Sequence, residues 1–129
     1  MSTEVAAPVV AILGDDLIWA SRLADAVTTA GGEPHRTRRL GDFEALLGGG
    51  IALAIVDLTA RAYDGIAAVE AAAAAGVRAI AVGQHDDLEL RRRALAAGAE
   101  RVLAYRKVFE DGPAVVAGLL GTTGGSAGA

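Results

Sequence analysis

Short apolar runs alternate along this chain with longer stretches whose apolar residues recur at helical spacing. Val9 to Gly14 reads VVAILG, a continuous apolar run that ends in acid. Leu17 to Ala30 follows, with Leu17, Ala20, Leu23, Ala24 and Val27 on one helical stripe, and Gly31 and Gly32 stop it. Glu33 to Thr37 is a strand candidate with little apolar content, and Asp42 to Leu47 is a short helix closed by Gly48, Gly49 and Gly50. Ile51 to Val56 (IALAIV) is the next strong apolar run, and it too ends in acid, at Asp57. Ile66 to Ala75 predicts an Ala-rich helix stopped by Gly76, and Val77 to Val82 (VRAIAV) a further strand. Asp86 to Ala97 predicts a helix capped by Asp86 and stopped by Gly98. Arg101 to Tyr105 (RVLAY) predicts the last strand, and Pro113 to Leu120 the last helix, with proline in its first turn.

The pattern is a strand–helix unit repeated five times. Strands that are apolar without alternation are buried on both faces, which predicts an α/β fold with a parallel sheet between two helical layers. Residues 1–120 are expected to form one domain. Residues 121–129 (GTTGGSAGA) hold no apolar anchor and are expected to be a disordered tail.

Composition narrows the functional classes. The chain has 129 residues, a size suited to one compact domain. Hydrophobic residues make up 53% and aromatics only 4%, so the core must be built from Ala, Val, Leu and Ile. The net charge of −4 argues against sequence-independent nucleic-acid binding, which needs a basic surface. Cysteine is absent, which excludes disulfides and thiolate metal sites and makes a reducing cytoplasm the expected compartment. No apolar run approaches the roughly 20 residues of a membrane span, and the first residues do not read as a signal peptide.

Chemistry is expected where the strands end, because open α/β sheets bind ligands at their carboxyl edge. The first strand ends in Asp15-Asp16 and the third in Asp57. If these strands are neighbours, three carboxylates crowd one site, and a cation is needed to offset their repulsion. An all-oxygen donor set suits Mg²⁺, and a carboxylate beside Mg²⁺ is a candidate phosphoryl acceptor. Any one of these acids has a simpler use: Asp15 or Asp16 as the cap of the following helix, Asp57 as a turn residue. Their joint placement at two strand ends is what raises the functional reading.

The spacing resembles that of bacterial response-regulator receiver domains. Ile12-Leu13-Gly14-Asp15-Asp16 is similar to their first strand and acid pair, and Ala54-Ile55-Val56-Asp57-Leu58 to the strand of their phosphoacceptor. Asp64-Gly65 stands where the family opens its third helix, and Ala97-Gly98-Ala99-Glu100 where it approaches its fifth strand. The resemblance implies a flavodoxin-like (βα)5 three-layer sandwich of sheet order 2-1-3-4-5. It also implies Asp57 as acceptor of a phosphoryl group from a sensor histidine kinase, with Asp15, Asp16 and Asp57 around Mg²⁺. Two switch positions depart from the family. Its Thr or Ser falls on Gly83, and its Lys falls on Tyr105; Lys107 is a candidate substitute if the strand continues. Two functions follow: a stand-alone phosphorelay receiver, or a pseudo-receiver that binds proteins without phosphorylation. An enzyme of the haloacid-dehalogenase type fits poorly, because Thr59 stands where those enzymes carry a second Asp.

Other features are weighed against simpler uses. Arg91, Arg92 and Arg93 fan around the fourth helix, a solvated face first and a docking patch second, with a homodimer as another arrangement. Trp19 falls off the apolar stripe, so partial exposure beside the acids is expected. His35 and His85 are isolated, and no phosphate-cradling glycine motif is present.

Overall fold

A computed structural model describes residues 6–121; most of the expected tail lies outside the described residues. The element order is β1 (Val9–Leu13), α1 (Leu17–Thr29), β2 (Glu33–Thr37), α2 (Leu40–Leu47), β3 (Leu53–Asp57), α3 (Gly65–Ala74), β4 (Ala79–Gly83), α4 (Leu88–Ala97), β5 (Arg101–Ala104) and α5 (Tyr105–Leu120). All four strand pairings are parallel and the sheet order is β2-β1-β3-β4-β5. This is the five-stranded flavodoxin-like order that the resemblance implies.

The strands carry a size alternation that their hydropathy conceals. Val10, Ile12, Leu53, Ile55, Ile80, Val82 and Leu103 pack on the α1 and α5 side of the sheet. Ala11, Ala54, Ala79 and Ala81 face the other side, with α2, α3 and α4, and are joined there by the larger Leu13, Val56 and Val102. Side chains alternate across a strand, so one run supplies a bulky face and a shallow one. The shallow face matches the Ala-rich α3, whose Ala68 and Ala72 are fully buried against it. The single buried phenylalanine, Phe43, fills the space beside α2 in this layer. At one sheet edge, β2 (EPHRT) is only half buried, and an edge strand tolerates the missing N–H of Pro34.

Two glycines are dictated by the fold. At Gly65 an added Cβ would lie 2.9 Å from the Leu58 backbone, so the α3 start can approach β3 only without a side chain. Gly98 closes α4 at φ +118°, and its Cβ would come 2.8 Å from that of Ala73 on α3. Gly98→Ala should therefore destabilise the fold by about 1–2 kcal/mol, through left-handed strain and the α3–α4 clash. Urea denaturation checks this; an unchanged midpoint would show that α4 can end another way.

Three local expectations are corrected. The cap of α4 is Asp87, whose carboxylate accepts Leu90 N–H at 3.0 Å, and not Asp86. The fifth strand ends at Ala104, and Tyr105 already opens α5. The segment from Tyr105 forms a first helical piece, kinked at Asp111 ahead of Pro113. Ion pairs Arg106–Glu110 and Lys107–Asp111, each spaced i,i+4, lie along that piece. Lys107 is thus engaged on the helix surface, and the extended geometry that would have carried it back toward Asp57 does not form.

Candidate functional site at the carboxyl edge of the sheet

The order β1-β3 brings the two acid-ending strands side by side, as the sequence reading requires. Asp57 closes β3 and is 4% exposed, the only buried charged or polar side chain among the described residues. Its Oδ1 accepts the Thr59 backbone N–H and the Thr59 hydroxyl, both at 3.0 Å, and the Tyr105 hydroxyl. The Thr59 and Tyr105 hydroxyls also lie within hydrogen-bonding reach of each other. Tyr105 stands at the junction of β5 and α5, so its ring spans from the sheet edge to Asp57. Burial, and then the bond to Asp57, push the Tyr105 hydroxyl above the ordinary tyrosine range, so it remains a neutral donor.

The acid pair is divided in its tasks. Asp16 caps α1, its Oδ1 accepting Trp19 N–H at 3.0 Å. Asp15 accepts Arg61 N–H at 3.1 Å and Ala62 N–H at 3.2 Å, which ties the β1–α1 turn to the loop after β3. Asp15, Asp16, Asp57, Thr59, Arg61 and Tyr105 line one cleft of about 680 Å³. The donors are chemically suited to Mg²⁺, yet among the described residues no three acidic, histidine or cysteine side chains converge as a metal group. The arrangement shown, with Asp16 capping and Asp15 held by backbone amides, does not fit a three-carboxylate cradle.

Two residues that the sequence reading missed shape the site. The Tyr63 hydroxyl bridges the carbonyls of Asp57, at 2.7 Å, and Leu13, at 3.0 Å, stapling the ends of β3 and β1. Burial, and then the nearby Asp57 charge, raise its pKa above the usual tyrosine value. Thr59 supplies two of the three donors to Asp57. Tyr63 is one of only two tyrosines in the chain, a signal available in the sequence; nothing local announces its partners, 50 and 6 residues away.

Trp19 departs from expectation. It is 5% exposed, packed edge-on against Tyr105 with ring centres 5.5 Å apart. Its ring also lies beside Gly14, where a Cβ would sit 3.5 Å away. A large aromatic next to the apolar stripe is drawn inward by the area it buries. Its indole N–H has no hydrogen-bond partner. Gly83 is buried at the end of β4 with Leu58 as neighbour, and it offers no side-chain hydroxyl to the site.

The arginines of α4 do not act as one patch. Arg91 donates to the Val102 carbonyl at 3.0 Å, Arg92 pairs with Glu89, and Arg93 is exposed. His35 pairs with Glu33 at 2.6 Å, far from the acids in sequence, and His85 lies exposed after β4.

The sequence matches no protein-family model and no curated protein. Solved structures do match. A CheY-like response regulator receiver domain protein from Methanospirillum hungatei JF-1 is 20% identical, covers 88% of this chain and 97% of its own, and gives a TM-score of 0.71. The receiver domain of Francisella response regulator 1452 is 17% identical over 90% of this chain and 98% of its own, with a TM-score of 0.75. The BeF3-activated DrrB receiver domain is 16% identical over 89% and 98%, with a TM-score of 0.77. This chain has the fold of response-regulator receiver domains.

Proposed function

We propose that this chain is a cytoplasmic signalling module that uses the receiver fold to bind a protein partner without phosphoryl transfer at Asp57. One observation carries the reading: Asp57 Oδ1 is already saturated by Thr59 and Tyr105, with neutral Tyr105 where the resemblance places a lysine. A phosphoryl group on Asp57 would add negative charge to a cleft that already holds Asp15 and Asp16. Arg61 is the one cationic side chain lining that cleft. The charge-assisted bond that a lysine would make is roughly twice as strong as a neutral one. The partner is another signalling protein or a second copy, and the exposed Leu88, Leu95 and Arg93 of α4 offer a mixed apolar and basic contact. Among the described residues no helix is long and apolar enough to cross a membrane.

A second reading keeps Asp57 as phosphoacceptor for a sensor histidine kinase, with Mg²⁺ held by Asp15 and Asp16. It is favoured by the placement of all three acids along one cleft, and it requires them to move together from the positions in which Asp16 caps α1 and Asp15 is held by backbone amides. The deciding experiment is incubation with acetyl phosphate and Mg²⁺, read by intact mass on the natural chain and on Asp57→Asn. The expected result is no phosphoryl mass on either. Stoichiometric uptake by the natural chain, absent in Asp57→Asn, would replace the first reading with the second.

A further inference from the structure

Arg36, Arg38 and Arg39 crowd within four consecutive positions where β2 ends and α2 begins. All three line a second cleft at the carboxyl edge, of about 740 Å³. None has an ion-pair partner among the described residues, whereas Arg78, Arg92 and Arg106 each pair with a glutamate. Three like charges at such spacing repel, and they do so here on a chain of net charge −4. The backbone that bears them is pinned. The Thr37 hydroxyl donates to the Ile12 carbonyl at 2.7 Å, and the Thr37 carbonyl accepts Gly14 N–H at 3.1 Å. Arg39 precedes α2 without capping it, so the first-turn amides of that helix have no side-chain acceptor. Leu17, 55% exposed, also lines the cleft and supplies apolar surface, while Ala20 forms its buried floor. Two carboxylates, Asp15 and Asp42, line it as well, and Asp15 is held by the Arg61 and Ala62 amides.

We infer that this cleft binds a small phosphorylated molecule, its phosphate oxygens on Arg36, Arg38 and Arg39 and its apolar portion against Leu17. Guanidinium forks pair with two phosphate oxygens at once, which a carboxylate-free anion pocket of lysines would not do as selectively. The volume falls in the range of small-molecule sites, about 300–1,000 Å³. The place is the edge at which open α/β sheets bind ligands. Asp15 lines both this cleft and that of Asp57, so a ligand here abuts the Asp57 site. The inference stands apart from the reading of Asp57, because it uses none of the groups that hold that carboxylate.

The test is an amide NMR titration of the full chain with inorganic pyrophosphate at constant ionic strength. Saturable shifts confined to residues 36–42 and 14–17 are expected. Arg38→Gln with Arg39→Gln should weaken the response about a hundredfold, at about tenfold per lost charge-assisted contact. Arg101→Gln with Arg106→Gln, equally exposed and at the opposite edge of the sheet, should leave it unchanged. Unaltered melting of both double variants is expected, since all four side chains are on the surface. Shifts that never saturate, or that both double variants reduce alike, would mean diffuse charge attraction and overturn the inference. A hexaglutamate peptide that saturates the same residues at lower concentration than pyrophosphate would overturn it in favour of an acidic protein segment.

Discussion

A chain carrying Gly83→Thr together with Tyr105→Lys will respond to beryllofluoride with amide shifts that spread from Asp57 through α4 to β5, and the natural chain will not. A ligand moves a two-state equilibrium only by its differential contacts with the two states. The natural chain offers the mimic a glycine at the end of β4 and a neutral phenol at the end of β5. The phenol already spends its bond on the unmodified Asp57. Thr would supply a contact that exists only with the mimic in place, and Lys a charge-assisted bond that strengthens as the mimic adds negative charge. A charge-assisted bond contributes about 1.5–3 kcal/mol, which shifts the equilibrium by roughly ten- to a hundredfold. The site has room at Gly83: an added Cβ would sit 3.6 Å from Leu58 Cδ1, an ordinary contact. Paired amide maps of both chains, with and without beryllofluoride, make the measurement. Extensive shifts over residues 86–105 in the natural chain would show that Tyr105 itself transmits the signal. Silence in both chains would show that these two side chains are not what is missing.

Asp57→Ala should cost about 2–3 kcal/mol of stability, while Asp57→Asn should cost about 1 kcal/mol or less. The alanine removes three accepted hydrogen bonds at about 1 kcal/mol each, and leaves the half-buried Tyr105 hydroxyl without its acceptor. Exposure of Thr59 lets water replace part of the loss, which holds the figure below the full sum. Asparagine keeps an oxygen at the same place and continues to accept. The opposite sign is equally informative. In a pocket governed by repulsion among Asp15, Asp16 and Asp57, removing one charge stabilises the fold, and both substitutions would then raise the urea midpoint. That outcome would show Asp57 held for chemistry at a cost in stability, and would remove the support for a structural carboxylate.

The strands and most helices of this protein are legible in local sequence because their causes are local. Four apolar runs and one weaker strand segment, glycine stops at Gly31, Gly76 and Gly98, and acid at two strand ends suffice for a parallel (βα)5 arrangement. The edge placement of EPHRT follows from its poor apolar content. The joint position of Asp15, Asp16 and Asp57 needs only the neighbouring of the first and third strands, which the sheet order supplies. Local pattern misleads where the decisive contact is distant. Trp19 sits off the helical stripe yet is buried, because Tyr105, 86 positions away, offers its ring an edge to pack on. Asp87 replaces Asp86 as cap because one residue of loop length sets which carboxylate meets the Leu90 amide. The helix that starts at Tyr105 was hidden because RVLAY reads as one strand, and the turn at Ala104 depends on where α5 must pack against α1. Tyr63, Thr59 and Tyr105 become the wardens of Asp57 only when loops up to 48 residues apart share the sheet edge. The sequence by itself determined the layers and the acidic edge, since periodicity and chain punctuation act within a few residues. Only the tertiary structure decided which groups occupy the carboxylates, since hydrogen-bond partners across that edge are chosen by packing.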